Sequence, residues 1–181
     1  MNKYLKILTF LLLLVLVSVA CSTKKDAFLN KNWHALNTKY NVLFNGKEAL
    51  AVGQQELIDN YVDNYWELLP VERMEIRDEI IIDTAQLNPN FRRAEEKATK
   101  AVQKHGMNIG GQERNPQIDE AYLLLGKARY YDQRFVPALE AFNYILRKYT
   151  ASDIIHQAAI WREKTNIRME NEEVAITNLK K

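Results

Sequence analysis

The chain has 181 residues and a formal net charge of +2, from 25 Lys and Arg against 23 Asp and Glu. Two of the lysines, Lys3 and Lys6, lie in the first twenty residues, so a processed chain carries 23 basic and 23 acidic residues. This balance excludes nucleic-acid binding driven by bulk charge. A single cysteine excludes an internal disulfide and a cysteine-rich zinc site. Few glycines and prolines among abundant Ala, Leu, Glu, Lys and Arg predict an all-α protein.

Residues 1–20 are typical of a lipoprotein signal peptide. A basic start precedes the apolar run 7–20, which is shorter than the roughly 20 residues that a membrane-spanning helix needs. Small residues then lead into Cys21 as in a bacterial lipobox, although Ser18 stands where that motif prefers Leu. We therefore expect cleavage before Cys21 and its lipidation, which anchors the protein to a membrane without spanning it. The alternatives are an uncleaved anchor and an ordinary signal peptide with an incidental cysteine.

The expected domain organisation follows from this leader. Residues 21–30 are expected to be the lipidated cysteine and a polar tether, and residues 31–181 to form one helical repeat domain. The chain stops within an apolar helical pattern, without the polar capping helix that usually ends a repeat array. We therefore expect the natural array to continue past Lys181 or to be completed by a partner.

The first half of the domain is expected to hold two helices. Residues 31–44 carry an apolar stripe at spacings of three and four, which predicts a helix. Asn45-Gly46 indicates a turn, and a second helix is expected over 47–69, limited by Pro70. Residues 70–90 give a mixed pattern, helical at first and extended later.

The second half has the clearest helical pattern, over residues 119–149. Its two apolar stripes are separated at 132–134, and Pro137 falls in the first turn of the second helix, where its missing N–H costs little. Residues 106–118 are expected to form a Gly- and Asn-rich loop. Three further helices are expected over 92–106, over 153–169 and from residue 174 onwards.

The region 122–142 matches the tetratricopeptide repeat (TPR) pattern, in which an aromatic residue precedes Leu-Gly and Ala-x₃-Phe follows in the second helix. Small residues 12 positions apart allow two antiparallel helices to approach closely, and the same spacing recurs less clearly between Asn37 and Ala49 and between Glu163 and Ala175. A solenoid of stacked helical hairpins is therefore predicted, with a generic helical bundle as the alternative. The predicted structural residues are Trp33, Leu36, Tyr40, Ala49, Tyr122, Leu125, Gly126, Ala138, Phe142 and Ala175.

No sequence motif indicates an enzyme. The three histidines are far apart in sequence and lack an acidic or cysteine partner at ligand spacing, so no catalytic residue, metal ligand or cofactor is assigned. Aromatic and arginine side chains near the clearest helix pair are candidates for binding a partner peptide on the concave side of the stack. They are Arg129, Tyr130, Tyr131 and Arg134. Core packing and solvated charge are the alternative for each.

Residues 111–149, GQERNPQIDEAYLLLGKARYYDQRFVPALEAFNYILRKY, resemble the TPR lipoproteins of the type IX secretion and gliding-motility apparatus known as PorW or SprE. Residues 30–50 and 158–181 are similar to the same family, as is the leader with Cys21. The resemblance implies a lipid-anchored protein of the bacterial outer membrane that faces the periplasm and connects the secretion translocon to other components. It implies protein partners, no catalytic residues and no nucleic-acid or small-molecule ligand. A TPR lipoprotein of another envelope process, such as outer-membrane protein assembly or nutrient uptake, is the alternative.

Overall fold

The structure is a computed structural model that describes residues 3–5, 7–11, 22–70, 72–74 and 88–180. Cys21, where lipidation is expected, lies outside the described residues, as do most of the preceding apolar run and the middle of the 70–90 segment. Within its described residues the protein is all-α apart from one two-stranded hairpin, as the sequence predicts. In that part of the chain, no helix is both long and apolar enough to cross a membrane.

The body of the protein begins with a helix that continues through the predicted first turn. Helix α1 (Phe28–Leu36) runs without a break into a π-helical segment (Asn37–Leu43) and then into α2 (Phe44–Asn60). The prediction of a turn at Asn45-Gly46 is therefore wrong. The glycine is buried, and a Cβ added to it would lie 2.7 Å from Leu124 Cδ2, so its role is close packing between helices.

Helix α2 also ends earlier than the sequence predicts. Tyr61 has extended backbone angles (φ −79°, ψ 130°), so the helix stops at Asn60 and does not reach Pro70. The stretch that follows is largely exposed, and three of its large side chains are among the most exposed of the described residues: Tyr65, Trp66 and Leu68. Met74, in contrast, is buried in the core and holds this connection against the body.

Helix α3 (Pro89–His105) packs against α2 and confirms the helix predicted over 92–106. The Asn88 side chain accepts a hydrogen bond from the Asn90 N–H at 2.8 Å, which caps the helix, and proline occupies its first turn. The buried face of α3 includes three alanines with no exposed surface, which let neighbouring helices approach closely: Ala94, Ala98 and Ala101.

The predicted loop after α3 contains a short β-hairpin. Strands β1 (Asn108–Ile109) and β2 (Gln112–Glu113) pair in antiparallel fashion. Gly110 and Gly111 join them with φ angles of 60° and 78°, a left-handed conformation that only glycine adopts without steric cost. The two glycines are thus turn residues of the hairpin.

Four helices follow, close to the predicted positions: α4 (Ile118–Tyr131), α5 (Phe135–Lys148), α6 (Ile155–Arg168) and α7 (Glu172–Leu179). Gln133 takes a φ of 62° between α4 and α5, and the chain reverses within three residues. Pro137 is the third residue of α5, as expected. Each helix packs chiefly against its neighbours in the chain, so the helices stack as successive pairs.

Two apolar clusters form the core, one between α2, α3 and α4 and one between α4, α5 and α6. In the second, a Cβ added to Gly126 would lie 2.3 Å from Phe142 Cε1, and Ala138 has no exposed surface. The first cluster contains a similar close contact, because a Cβ added to Gly53 would lie 2.6 Å from Phe91 Cε1. The packing predicted for Gly126, Ala138 and Phe142 is confirmed, whereas the identification of the helix pairs as TPR units stays a prediction.

The other predicted structural residues divide into two groups. Four are buried or partly buried, as predicted: Ala49, Tyr122, Leu125 and Ala175. Three are 50 to 61 % exposed: Trp33, Leu36 and Tyr40. The prediction of a packed first hairpin is therefore wrong, because the inward face of this helix is polar and carries Asn30, His34 and Thr38.

A candidate protein-binding groove

A groove lined by aromatic and cationic side chains lies between the end of α4 and one face of α6. Helix α4 contributes Tyr130 and Tyr131, while α6 contributes Trp161, Lys164 and Arg168. The three α6 residues share a face because they are spaced by three and four positions. The Tyr130 and Trp161 rings meet edge to face with centroids 5.3 Å apart, which fixes the two helices at this point.

Glu72, from the long connection between α2 and α3, places its carboxylate in this groove. Tyr130 Oη donates a hydrogen bond to Glu72 Oε2 at 2.5 Å, and Arg168 Nη2 donates to the same oxygen at 3.3 Å. Lys164 Nζ donates to Oε1. The groove thus holds one acidic side chain through two cations and a phenol.

These contacts determine the protonation states in the groove. Burial by itself raises the pKa of Glu72, but the hydrogen bonds from Lys164, Tyr130 and Arg168 outweigh it and lower that pKa below its ordinary value. Burial, followed by the hydrogen bond to Glu72, raises the pKa of Tyr130. At neutral pH the carboxylate is therefore charged and the phenol protonated, as the hydrogen bonds require.

Cations also surround the Trp161 ring. Lys164 Nζ lies 4.1 Å from the ring centroid and Lys127 Nζ lies 5.0 Å from it, distances at which a cation is attracted to the ring face. Burial, followed by the charge of Lys47, lowers the pKa of Lys127. Together with Arg168, these lysines give the groove an aromatic and cationic surface.

Two open clefts share Glu72 in their lining. One has a volume of about 650 Å³, and its apolar lining includes Leu57, Ile58 and Met74. The other has a volume of about 510 Å³, and its lining includes Pro70, Ile167, Arg168, Glu170 and Glu172. The bound carboxylate therefore lies between two open clefts.

The structure divides the four residues predicted to bind a partner. Tyr131 is partly buried at the groove. Tyr130 is only 1 % exposed, so core packing, the alternative named for it, accounts for its ring, and only its hydroxyl meets Glu72 in the groove. Arg129 and Arg134 instead bind Glu95 of α3, and Arg129 Nε lies 2.8 Å from Glu95 Oε1. Burial raises the pKa of Glu95, but the hydrogen bonds from Arg134 and Arg129 outweigh it and lower that pKa. Ion pairing within the fold therefore accounts for both arginine side chains, a role that neither partner binding nor the named alternative of packing and solvated charge describes.

A histidine pair joins the first helix to α3, although sequence spacing suggested no partner for either ring. His34 Nδ1 and His105 Nδ1 are 3.1 Å apart, so one ring donates and the other accepts. Beside them, Asn115 Nδ2 donates to Thr38 Oγ1 at 3.0 Å and to the His105 carbonyl at 2.9 Å. Among the described residues, no three or more His, Cys, Asp and Glu side chains cluster as metal ligands. The interface between the first helix and α3 is therefore polar at this point.

The sequence analysis missed the α6 side of the groove and Glu72. The α6 side has a local signal, since Trp161-x₂-Lys164-x₃-Arg168 places a ring and two cations on one helical face. Glu72 has no such signal, because its position depends on the path of a long connection.

Comparison with known proteins adds no assignment to this geometry. No protein-family model matches the chain, and no curated protein matches it significantly. The candidate groove is therefore defined by its side chains, their contacts and the two adjoining clefts.

Proposed function

We propose that the protein is a noncatalytic, lipid-anchored scaffold of TPR-like helical hairpins that holds partner proteins of the type IX secretion and gliding machinery at the outer membrane, facing the periplasm. The observation that carries the proposal is the groove, where cations and aromatic rings already hold the Glu72 carboxylate. The resemblance of residues 111–149 to PorW or SprE lipoproteins supports the choice of machinery. The lipobox-like sequence ending at Cys21 supports the anchor.

The contacts to Glu72 indicate what a partner segment would offer. A partner carboxylate in that position would accept charge-assisted hydrogen bonds from Lys164 and Arg168 and a bond from the Tyr130 hydroxyl. Apolar side chains next to it would fill the clefts. Glu72 then competes with the partner carboxylate for the same site, so the connection that carries Glu72 lowers the affinity of the groove for the partner.

Capture of the tagged full-length protein from membranes tests the groove. Lys164→Ala with Arg168→Ala should lose the partners, whereas Glu72→Gln should capture more of them because a neutral side chain competes less well. Arg92→Ala with Arg93→Ala, on the exposed face of α3, is the matched control for lost positive charge. Equal capture by all variants would reject the groove as the binding site.

Two cellular measurements test the machinery and the anchor separately. Deleting the gene should abolish type IX export and gliding, and intact export and gliding would reject the machinery. Captured components of outer-membrane protein assembly or nutrient uptake would support the alternative instead. Palmitate labelling should disappear in Cys21→Ser, and equal labelling of wild type and variant would reject the anchor.

A further inference from the structure

The outward face of the first helix is apolar and aromatic. Six side chains along α1, the π segment and the start of α2 are 50 to 80 % exposed: Phe28, Leu29, Trp33, Leu36, Tyr40 and Phe44. After the first two they recur at intervals of three and four residues, which keeps them on one side of the helix. We call these six residues the outer stripe.

From Asn30 to Tyr40 the polarity of this helix is the reverse of that expected for a helix facing water, whereas Val42 and Leu43, at the end of the π segment, are apolar and buried. The inward side chains of Asn30, His34 and Thr38 are polar, and these residues are at most 4 % exposed. A helix on a water-exposed surface places its polar residues outside and its apolar residues inside. A long exposed apolar face marks an interaction surface, so the outer stripe needs a covering partner.

The charges around the outer stripe match a lipid surface. Residues 27–44, which span the stripe, contain two exposed lysines and no acidic residue: Lys31 and Lys39. Lys47, further along, pairs with Glu120 of α4 instead. Lys39 Nζ lies 5.5 Å from the Tyr40 ring centroid, so positive charge borders the rings directly. Tryptophan and tyrosine favour the headgroup region of a bilayer, and lysines favour anionic headgroups. This combination indicates a membrane surface as the partner.

The tether joins the expected anchor to the start of α1, the end of the helix at which the outer stripe begins. Asn30 Nδ2 donates a hydrogen bond at 2.8 Å to the carbonyl of Ser22, the residue that follows Cys21. Asp26, later in the tether, lies 3.2 Å from Arg114. The residue next to the expected lipidation site is therefore bound to α1, on the element that carries the stripe.

We propose that the outer stripe lies on the lipid bilayer as a second membrane attachment beside the lipidated Cys21. The proposal rests on the lipid anchor of the proposed function. It adds a definite orientation, in which the side of the body formed by α1 faces the membrane.

The single cysteine makes a direct test possible. Lipidation consumes the Cys21 thiol, so a cysteine introduced elsewhere is the only free thiol among these 181 residues. Leu36→Cys carries a nitrobenzoxadiazole label in the outer stripe, and Val136→Cys on α5 is the matched control, because the two residues are 56 % and 57 % exposed. Both proteins are reconstituted into phosphatidylethanolamine and phosphatidylglycerol vesicles with and without brominated chains.

We expect emission at residue 36 to shift to the blue and to be quenched by brominated lipid several-fold more than emission at residue 136. Adding Trp33→Glu and Tyr40→Glu should return the label at residue 36 to a water-like signal while palmitate labelling persists. Equal quenching at both positions would overturn the proposal. Protection of residue 36 that depends on protein concentration and persists without lipid would overturn it too, by assigning the stripe to a second copy. An absence of palmitate labelling in the wild-type protein would instead refute the lipid anchor itself.

Discussion

Two parts of the chain share a 12-residue spacing and fold differently. Asn37 and Ala49 repeat the spacing of Gly126 and Ala138, with apolar stripes on both sides in each case. Between Gly126 and Ala138 the chain reverses at Gln133, whereas between Asn37 and Ala49 it stays helical. The same spacing is therefore compatible with a hairpin and with one unbroken helix.

Tertiary packing accounts for the difference. Asn45-Gly46 is the stronger local turn signal, yet its glycine packs against Leu124 and Lys97 as part of a continuous helix. In the second region the reversal brings Phe142 onto Gly126. Turn residues thus mark where a chain can reverse, and the tertiary contacts around them decide whether it does.

The largest expected difference between the two regions comes from removing an aromatic ring. Phe142→Ala should lower the free energy of unfolding by about 3–5 kcal/mol, because Phe142 has no exposed surface and fills the contact with Gly126. Tyr40→Ala should change it by less than about 0.5 kcal/mol, since Tyr40 is 61 % exposed. Chemical denaturation measures both. Similar losses would mean that the first helix packs as the sequence predicts.

The two packed glycines provide a finer test. Gly126→Ala should cost up to about 3 kcal/mol, because its methyl group would meet the Phe142 ring. Both variants regain about 1 kcal/mol of helix propensity, because both glycines lie inside helices. Gly46→Ala should cost less, since its methyl group meets the end of the flexible Leu124 side chain and not a buried ring. Thermal unfolding of the two variants ranks them, and a larger loss at position 46 would contradict the comparison.

The polar join of the first helix gives a third test. Asn115→Ala should lower stability by about 2 kcal/mol, because the buried Thr38 hydroxyl and the His105 carbonyl lose a donor. Native-state hydrogen exchange should show faster exchange in α1 and the π segment than in α5. Uniform acceleration throughout the chain would indicate that the join stabilises no particular region.

The smallest expected effect is a pH dependence of the same join. Burial, followed by the charges of His34 and Lys100, lowers the pKa of His105 below its ordinary value of 6.5. The unfolded chain then binds the proton more readily, so this stability is complete above about pH 6.5 and declines as the pH falls through the lowered pKa. Denaturation between pH 7.5 and 5 should show a decline that weakens in His105→Gln. His156→Gln, at an exposed position, should keep it.

Local sequence patterns predicted well the elements whose contacts are themselves local. Helices α4 and α5 are close in sequence and meet through small residues, so Gly126 and Ala138 identified their packing. Local sequence patterns predicted only part of the groove. Tyr130 and Tyr131 were candidates from their position, but Glu72 is 58 residues from Tyr130 in the chain and reaches it only through the folded connection.

By itself, the sequence determined the all-α class, the helices from Pro89 onwards and the expectation of a lipid anchor at Cys21. Composition, apolar periodicity and the leader are properties of neighbouring residues, so they need no fold to be recognised. The tertiary structure alone decided that the first helix continues through Asn45-Gly46, that its polar face turns inward and that Glu72 occupies the groove. Each of these depends on contacts between distant segments, whose free energy outweighs the local preference.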